Sequence, residues 1–257
     1  MALIEQTLFG TVDKVKMAID RLHEFEPPEG YYVAFSGGKD SVVILDLVKR
    51  AGVKFDAHYN LTTVDPPELV NFIRSWHPEV EIHRPEKTMW QLIVENGMPP
   101  LRQMRYCCRI LKERGGDGRF VVTGVRKAES HKRAGRRMVE SCRQSTAGRI
   151  FIHPIIEWSD DEVWQYIREN DVNYCRLYDE GWKRLGCVCC PNANQQKQAE
   201  RWPKLAASYK RACVRAYQAG LERGKKYRDN WQNGEDMYNW WISGQGSTDY
   251  DQGVLFE

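Results

Sequence analysis

Residues 31–49 constrain the fold most strongly, because an apolar strand, a glycine loop and a helix follow one another within them. Residues 31–35 form a short apolar run, and an apolar segment of helical length ends near Gly52. We call the six residues between them the glycine loop: Ser36, Gly37, Gly38, Lys39, Asp40 and Ser41. Its two glycines allow the backbone to turn successive N–H groups into one concavity at the positive end of the helix dipole. The stretch therefore predicts an anion site.

The side chains of the glycine loop indicate a phosphate and a metal ion. Ser36 and Ser41 add hydroxyl donors, and Lys39 adds a point charge that suits a phosphate. Asp40 would repel an anion unless a cation lies between them, which predicts Mg²⁺ with Asp40 as a ligand. The loop is not a Walker A motif, because a single residue separates Gly38 from Asp40. The alternative is a simple serine–glycine turn.

Strand and helix signals alternate along the rest of the first 182 residues. The predicted strands are residues 31–35, 55–61, 80–83, 120–123 and 150–152, and the predicted helices include 11–25, 66–76, 88–95, 105–112 and 159–168. This pattern predicts an α/β fold with a doubly wound, mainly parallel, Rossmann-like sheet and a small helical C-terminal region. We expect two domains, a nucleotide-binding domain at 1–182 and a cysteine knuckle with helices at 183–257. A length of 257 residues and a hydrophobic content of 42% support a substantial core.

Two further strand ends supply candidate ligands, because ligands bind outside the carboxyl ends of strands in such sheets. Thr62 follows the second strand, and Gly124 follows the fourth and permits close backbone approach. Arg126 places a cation in reach of an α-phosphate. Residues 126–137 predict a mobile basic loop over the site, with a solvated charged loop as the alternative. Other candidates after the second strand, which could equally cap the next helix, are Thr63, Asp65 and Glu68.

Composition and the N-terminal residues exclude some classes of protein. A formal net charge of +3 is too small to indicate nucleic-acid binding by itself. Residues 204–228 are nevertheless locally basic. The first ten residues lack the features of a signal peptide, and no window approaches a membrane span. We therefore expect a soluble, cytoplasmic protein with no membrane partner. Eight cysteines in such a chain do not suit a disulfide framework.

Four cysteines form the second strong signal. Cys107 and Cys108 are adjacent, and Cys187-x-x-Cys190 lies at a glycine–proline knuckle that presents two thiolates to one ion or cluster. Four cysteines suit a [4Fe–4S] cluster or a Cys₄ zinc site, and ligand softness does not separate these. Cys189 could exchange roles with Cys187 or Cys190. The remaining cysteines are predicted to be buried small hydrophobic residues: Cys142, Cys175 and Cys213.

These motifs resemble a known family. The glycine loop matches the SGGxDS loop of the PP-loop ATP pyrophosphatases, and the cysteine pattern resembles that of the iron–sulfur adenylylsulfate reductases. Over residues 31–191 the chain is similar to the phosphoadenylylsulfate (PAPS) reductase family in its broad sense, which includes sulfurtransferases of DNA phosphorothioation. The resemblance implies a [4Fe–4S] cluster near the reactive end of the nucleotide, with Arg105, Arg109 and Lys112 as basic neighbours. It also rests on residues 123–126, 129–130, 153–155, 158–159, 163–164, 178–179 and 186–187.

Two departures favour an ATP-using enzyme over a sulfonucleotide reductase. The reductases carry an altered loop, because their substrate has no β,γ-pyrophosphate, whereas the loop in this chain has the ATP-type sequence. They also use a cysteine on a C-terminal segment, and this sequence has none after Cys213. In the ATP-using hypothesis Lys39, Asp40 and Arg126 are catalytic: the loop and Mg²⁺ hold the β,γ-phosphates, and Arg126 supports charge on the α-phosphate.

The predicted function is therefore adenylation of an acceptor by ATP with release of pyrophosphate, linked to sulfur transfer at the cluster. Its expected partners are an adenine nucleotide, a nucleic-acid acceptor and a sulfur-donor or reductant protein. The sequence also leaves open whether the chain forms an oligomer. One alternative is a PAPS or adenylylsulfate reductase that releases sulfite. A second is a nucleotide-binding accessory subunit of a mobile-element or defence system.

Overall fold

The computed structural model describes residues 3–7, 10–141, 148–227 and 231–245, and the chain divides into two compact units. The first unit contains Met1–Tyr59, Pro67–His83 and Gly115–Leu185. The second contains Asn60–Pro66, Arg84–Arg114 and Gly186–Glu257. This division differs from the linear one at residue 182, because two earlier stretches of chain group with the C-terminal region. The two predicted domains stay a prediction.

The centre of the first unit is a six-stranded sheet in the order β5-β4-β3-β6-β8-β7. Parallel pairs join β3 to β4, β3 to β6 and β6 to β8, and β7 is antiparallel to β8. A separate antiparallel pair is formed by β1 and β2. The mainly parallel α/β sheet predicted from the sequence is thus confirmed. The strands are β1 Ile4–Thr7, β2 Gly10–Asp13, β3 Tyr31–Ala34, β4 Phe55–Asn60, β5 Val80–His83, β6 Phe120–Val122, β7 Val139–Ser141 and β8 Ile150–Ile152.

Local signals set the helices of the first unit. α2 ends where Gly52 adopts a left-handed φ of 68°, and α6 begins at a capping box in which Ser159 and Glu162 exchange hydrogen bonds. Both α1 and α6 pack against α2, whose apolar residues are buried. The helices of this unit are α1 Lys14–Glu24, α2 Lys39–Ala51, α3 Pro67–Trp76, α5 His131–Ala134 and α6 Asp160–Glu169.

The second unit is helical. α8 begins with Pro203 at its first position, where the N–H group that proline lacks would have no partner within the helix. Both α4 and α9 pack against α8. The helices of this unit are α4 Met89–Asn96, a π-helical turn at Cys108–Lys112, α7 Gln195–Arg201, α8 Pro203–Glu222 and α9 Gly234–Ile242.

The structure corrects several predicted elements. The helix predicted at residues 105–112 is present over residues 106–112, and its part at Cys108–Lys112 is a π-helical turn. α1 begins at Lys14 because Asp13 caps it, and the residues before it form β2. The predicted basic loop at 126–137 contains a 3₁₀ turn at Lys127–Glu129 and then α5. β7 was not predicted, because three residues are too few for a clear alternation. Within the described residues, no helix has the length and apolar character to cross a membrane.

Candidate functional site

The glycine loop joins β3 to α2 in the first unit, as predicted. Gly38 is the N-cap of α2, and no side chain provides a capping hydrogen bond. Gly37 has a φ of 71°, and a Cβ atom there would lie 2.7 Å from a methyl carbon of Leu69 in α3. Both the conformation and the available space therefore require glycine at this position.

The main-chain N–H groups of the loop are partly available. The N–H of Lys39 donates to the Tyr178 hydroxyl at 2.8 Å. In the described part of the chain, no acceptor contacts the N–H groups of Gly37 and Asp40. These two donors at the start of α2 are the arrangement that binds anions at helix N-termini.

The serine hydroxyls of the loop stabilise the loop itself. Ser41 Oγ donates to the Gly38 carbonyl at 2.8 Å, and Ser36 Oγ donates to Ser41 Oγ at 3.1 Å. Ser36 Oγ also lies 3.4 Å from the Gly38 nitrogen. The predicted role of both hydroxyls as phosphate donors stays a prediction.

Two cations and two carboxylates form a closed network beside the loop. Lys39 Nζ and Arg126 Nη2 each contact the same oxygen of Asp160 at 2.9 Å. Arg126 Nε donates to Asp40 Oδ1 at 2.7 Å, and Lys39 Nζ lies 3.2 Å from Asp40 Oδ2. The network holds Asp40 in the N-terminal turn of α2, where the helix dipole also stabilises its negative charge.

Arg126 lies inside this network. Its side chain is 1% exposed, and its third nitrogen donates to the Trp158 carbonyl at 3.1 Å. Burial lowers the pKa of Arg126, but the charges of Asp40 and Asp160 outweigh burial and raise it above its usual value. All three guanidinium nitrogens therefore have protein partners. These bonds use three of the five N–H donors, and the predicted contact of Arg126 with an α-phosphate stays a prediction.

Sequence reasoning missed two contributors to this site. Asp160 falls in the helix predicted at 159–168, and Tyr178 is one of the residues that carry the family resemblance, but the sequence predicts a site role for neither. Burial alone would raise the pKa of Asp160, but its bonds to Lys39 and Arg126 lower it, so the carboxylate stays charged. For Tyr178 the available signal is its position in residues 178–179, which carry the family resemblance, whereas Asp160 lies outside those segments.

Gly124 serves packing in this structure. A Cβ atom on Gly124 would lie 2.9 Å from backbone atoms of Asp40. The close approach predicted for this glycine is therefore an approach of the end of β6 to the first turn of α2. Contact of Gly124 with a nucleotide stays a prediction.

Thr62 contacts the cysteines of the second unit. Its hydroxyl oxygen lies 3.3 Å from Cys187 Sγ, and its N–H donates to Asp65 Oδ2 at 2.6 Å. Thr62 is 1% exposed. These contacts give the threonine a structural position beside a thiol, and its predicted role as a nucleotide ligand stays a prediction.

The second unit brings the four predicted cysteine ligands together. A hydrogen bond between Cys107 and Cys108 raises the pKa of Cys107, and burial and the charges of Cys187 and Cys190 raise it further. The same hydrogen bond lowers the pKa of Cys108, with help from the cation of Lys112. The described cysteines are all free thiols. We call Cys107, Cys108, Cys187 and Cys190 the cysteine group.

The cysteine group has basic neighbours, as expected. The charge of Cys187 raises the pKa of Lys112, and Asp65 adds to this effect. Arg105 contributes to the lowered pKa of Cys108, whereas Arg109 is exposed. These cations favour the thiolate of Cys108, which is the form that binds metals, whereas burial outweighs Lys112 and raises the pKa of Cys187.

Cys189 lies outside the cysteine group. Its side chain is fully buried and lies 3.9 Å from the Gln195 carbonyl, and burial raises its pKa to about 12. The backbone at Cys189 has a positive φ of 54°, which L residues seldom adopt. Cys175 and Cys213 are buried, as predicted, and Cys142 lies outside the described residues.

Some of the basic residues near the end of α8 have structural partners. Arg223 donates to the carbonyls of Val94 and Glu95, and Lys225 donates to that of Asn96. These three carbonyls lie in the last turn of α4, where cations stabilise a helix. Arg228 lies outside the described residues.

The phosphoadenosine phosphosulfate reductase domain matches residues 30–193, which is more than half of the chain. The chain belongs to this family. Its relatives include the uncharacterized protein MJ0066 of Methanocaldococcus jannaschii, 31% identical over 67% of this chain and 39% of the relative. Adenosine 5'-phosphosulfate reductase of Oceanobacillus iheyensis is 27% identical over 70% of this chain and 79% of the relative.

The chain matches only part of some of its relatives. The chain spans less than half the length of MJ0066 and of MJ0973 from the same archaeon, at 39% and 44%. The crystal structure of PAPS reductase from Candida auris matches 66% of this chain and 87% of its own, with a TM-score of 0.51 and 22% identity. This likeness shows the fold of the PAPS reductase family.

Proposed function

We propose that the chain is an ATP pyrophosphatase of the PAPS reductase family, which adenylates an acceptor and transfers sulfur with the help of a [4Fe–4S] cluster. The observation that carries the proposal is the complete glycine loop at the start of α2. Its sequence is of the ATP type, and the N–H groups of Gly37 and Asp40 have no protein acceptor among the described residues. A loop of this kind serves a β,γ-pyrophosphate, which ATP has and a sulfonucleotide lacks.

The residues of the loop have separate tasks in this proposal. The N–H groups and the dipole of α2 bind the phosphates, and Lys39 adds a charge. Asp40 suits Mg²⁺ because it is a partly exposed carboxylate that, beyond its bonds to Arg126 and Lys39, retains free lone pairs on its oxygens. One or two carboxylates plus substrate phosphates are the usual ligands of Mg²⁺, which when bound would neutralise charge on the phosphates.

The proposed reaction is an in-line displacement. An oxygen of the acceptor attacks the α-phosphorus, the bond between that phosphorus and the bridging oxygen breaks, and its electron pair leaves with pyrophosphate. The N–H groups of the loop and Lys39 stabilise the charge that develops on pyrophosphate. Arg126 and Asp160 keep Lys39 and Asp40 in position through their shared hydrogen bonds. Hydrosulfide, supplied by the sulfur donor, then attacks the activated atom of the acceptor; the bond from that atom to the AMP oxygen breaks, and its electron pair leaves with AMP.

The cysteine group suits a cluster better than a single zinc ion. A tetrahedral zinc site with Zn–S bonds of about 2.3 Å places its sulfurs about 3.8 Å apart. Among the described residues, no three cysteine sulfurs form a group as close as 4.8 Å, although the charges of Cys108, Cys187 and Cys190 all raise the pKa of Cys107. A [4Fe–4S] cluster holds its four thiolates farther apart, and when bound it would supply electrons or a binding position for sulfur.

The acceptor in this proposal is a nucleic acid. Its support is the locally basic sequence of residues 126–137 and of α8, whose cations would contact phosphates. We also place the protein in the cytoplasm, since the described cysteines are free thiols, which a reducing compartment preserves.

A reductase that releases sulfite is the second candidate. It is favoured by the Oceanobacillus iheyensis relative, which is called an adenosine 5'-phosphosulfate reductase. In that case the glycine loop would bind the phosphate groups of a sulfonucleotide, and ATP would be inert.

The test is to supply anaerobically purified protein with ATP, adenylylsulfate or PAPS in turn, and to measure pyrophosphate, AMP and sulfite beside the visible spectrum. We expect a brown protein that releases pyrophosphate from ATP. Sulfite from a sulfonucleotide, with ATP inert, would contradict the proposal and establish the reductase.

A variant pair tests the metal role of Asp40. Asp40→Asn should abolish Mg²⁺-dependent release of pyrophosphate. The control is Asp161→Asn, which removes the same charge from an exposed position in α6 and should leave turnover unchanged. Full turnover by Asp40→Asn would show that the aspartate does not hold the metal.

A further inference from the structure

A cluster of histidine and acidic side chains lies at the β4–β5 side of the sheet in the first unit. β4 and β5 are neighbours, and β5 is an edge strand of this sheet. Asp56 and His58 lie on one face of β4 because side chains two residues apart share a face. Glu81 and His83 have the same relation in β5, and their contacts with His58 show that the two pairs meet.

The three potential ligands of this cluster converge closely. His58 Nδ1 lies 2.7 Å from His83 Nε2 and 3.6 Å from a carboxylate oxygen of Glu81. One ligand atom from each of the three residues can be chosen so that all lie within 4.8 Å of one another. In the described parts of the chain, no other three histidine, cysteine or acidic side chains approach so closely.

The surroundings of His58 orient it as a ligand. Asp56 accepts a hydrogen bond from His58 Nε2 and is itself held by Arg119, whose Nη1 lies 2.8 Å from Asp56. Because the carboxylate only accepts, the proton of a neutral His58 is on Nε2, and the Nδ1 lone pair faces His83. Tyr32 stacks on the imidazole with a centroid distance of 4.1 Å and fixes the ring plane. A carboxylate behind an imidazole is the usual support of a metal-binding histidine.

The cluster is also open to solvent on one side. The side chain of His58 is 10% exposed, that of His83 is 34% exposed and that of Glu81 is 68% exposed. The anchored ligand is therefore buried, whereas the other two can move. An ion can enter from the side of Glu81, and a water molecule can complete its coordination.

We propose that His58, His83 and Glu81 form a binding site for a divalent first-row transition metal, with zinc as its representative. Two imidazoles and one carboxylate suit such ions, and three protein ligands leave a fourth position open to water. With metal–nitrogen bonds of about 2.1 Å, the two imidazole nitrogens would separate to roughly 3.4 Å. His83 supplies this movement, because it is the last residue of β5 and is partly exposed.

The competing description is a hydrogen bond between two neutral imidazoles, in which His83 Nε2–H donates to His58 Nδ1. The two descriptions differ in a measurable way. A metal uses both lone pairs and displaces the shared proton, whereas a hydrogen-bonded pair has no need of Glu81.

The experiment titrates the full chain with Co²⁺, followed by absorption, and counts the zinc retained after dialysis. Wild type, His83→Ala, Glu81→Gln and Asp56→Asn are compared, and the control is His23→Ala, which removes an exposed histidine from α1. Cobalt bound to the cysteine group gives thiolate charge-transfer absorption, whereas cobalt at the histidine site gives only ligand-field bands.

We expect His83→Ala to lose one metal equivalent, and with it ligand-field absorption that has no thiolate component. Glu81→Gln should bind that equivalent more weakly, and Asp56→Asn about 10- to 100-fold more weakly, because it loosens His58. His23→Ala should match wild type. Melting in the presence of a chelator checks that the variants fold.

Equal stoichiometry and affinity for folded His83→Ala, Glu81→Gln and wild type would overturn the proposal. The contact between the two imidazoles would then be a hydrogen bond alone.

Discussion

Cys189 and Cys190 are neighbours in the chain, yet only Cys190 belongs to the cysteine group. Cys189 is fully buried, and its main-chain carbonyl accepts a hydrogen bond from Gln195. Cys190 is partly exposed and interacts electrostatically with Cys107. The sequence leaves the choice between them open, and the difference in environment favours Cys190 as the proposed ligand.

The two cysteines therefore predict opposite results for two single substitutions. Cys190→Ser should remove the iron–sulfur absorbance of anaerobically purified protein, because the cluster loses a ligand. Cys189→Ala should keep that absorbance and cost about 1 kcal/mol of stability through a small buried cavity. The visible spectrum and urea unfolding measure both effects. Retained absorbance in Cys190→Ser, with its loss in Cys189→Ala, would exchange their roles.

At the scale of elements, the contact between the end of β6 and the first turn of α2 positions the glycine loop. Gly124 allows this contact, because any side chain there would meet the backbone of Asp40 at 2.9 Å. A backbone cannot move aside as a flexible side chain can, so the helix start itself would have to shift. The position of Asp40 in the loop thus depends on a glycine that follows a different strand, β6.

Gly124→Ala should therefore cost about 1–3 kcal/mol of stability and weaken nucleotide binding. Gly135→Ala is the matched control, because Gly135 has a φ of −84° and no atom within 4 Å of an added Cβ. Urea unfolding and calorimetric titration with a non-hydrolysable ATP analogue measure the two effects. Equal stability and affinity of the two variants would show that the β6–α2 contact tolerates a side chain.

At the scale of the whole molecule, a buried histidine makes stability depend on pH. His153 Nδ1 lies 2.8 Å from Thr123 Oγ1, and no hydrogen bond to its Nε2 is found among the described residues. Burial lowers the pKa of His153 to about 4, although Glu140 opposes the shift. His153 is therefore a neutral imidazole in the folded chain at neutral pH. In the unfolded chain the same imidazole binds a proton with a pKa near 6.5.

The folded pKa lies below the unfolded one, so stability is fully present above about pH 6.5 and is lost as the pH falls towards 4. The loss due to His153 should approach about 3 kcal/mol. Urea unfolding of wild type and His153→Gln between pH 7.5 and about 4.5 measures it. The variant should show a smaller decline over this interval. Parallel declines would mean that His153 does not control this dependence.

The sequence by itself determined the elements whose signals are local. β3, the glycine loop and α2 follow one another within about twenty residues, and glycines mark both the start and the end of α2. The capping box of α6 and the proline at the start of α8 are equally local. Apolar periodicity and turn chemistry act between residues a few positions apart, so a sequence pattern is sufficient to predict them.

Only the tertiary structure decided which distant side chains meet. Arg126 is paired with Asp40 and Asp160, although the sequence presents it as an open cation. His58 and His83 meet because β4 and β5 lie side by side in the sheet. The sequence of neither strand indicates which strand it pairs with. Such contacts depend on strand order and on the burial of whole elements. Those depend in turn on packing free energy summed over the molecule, which no short stretch of sequence contains.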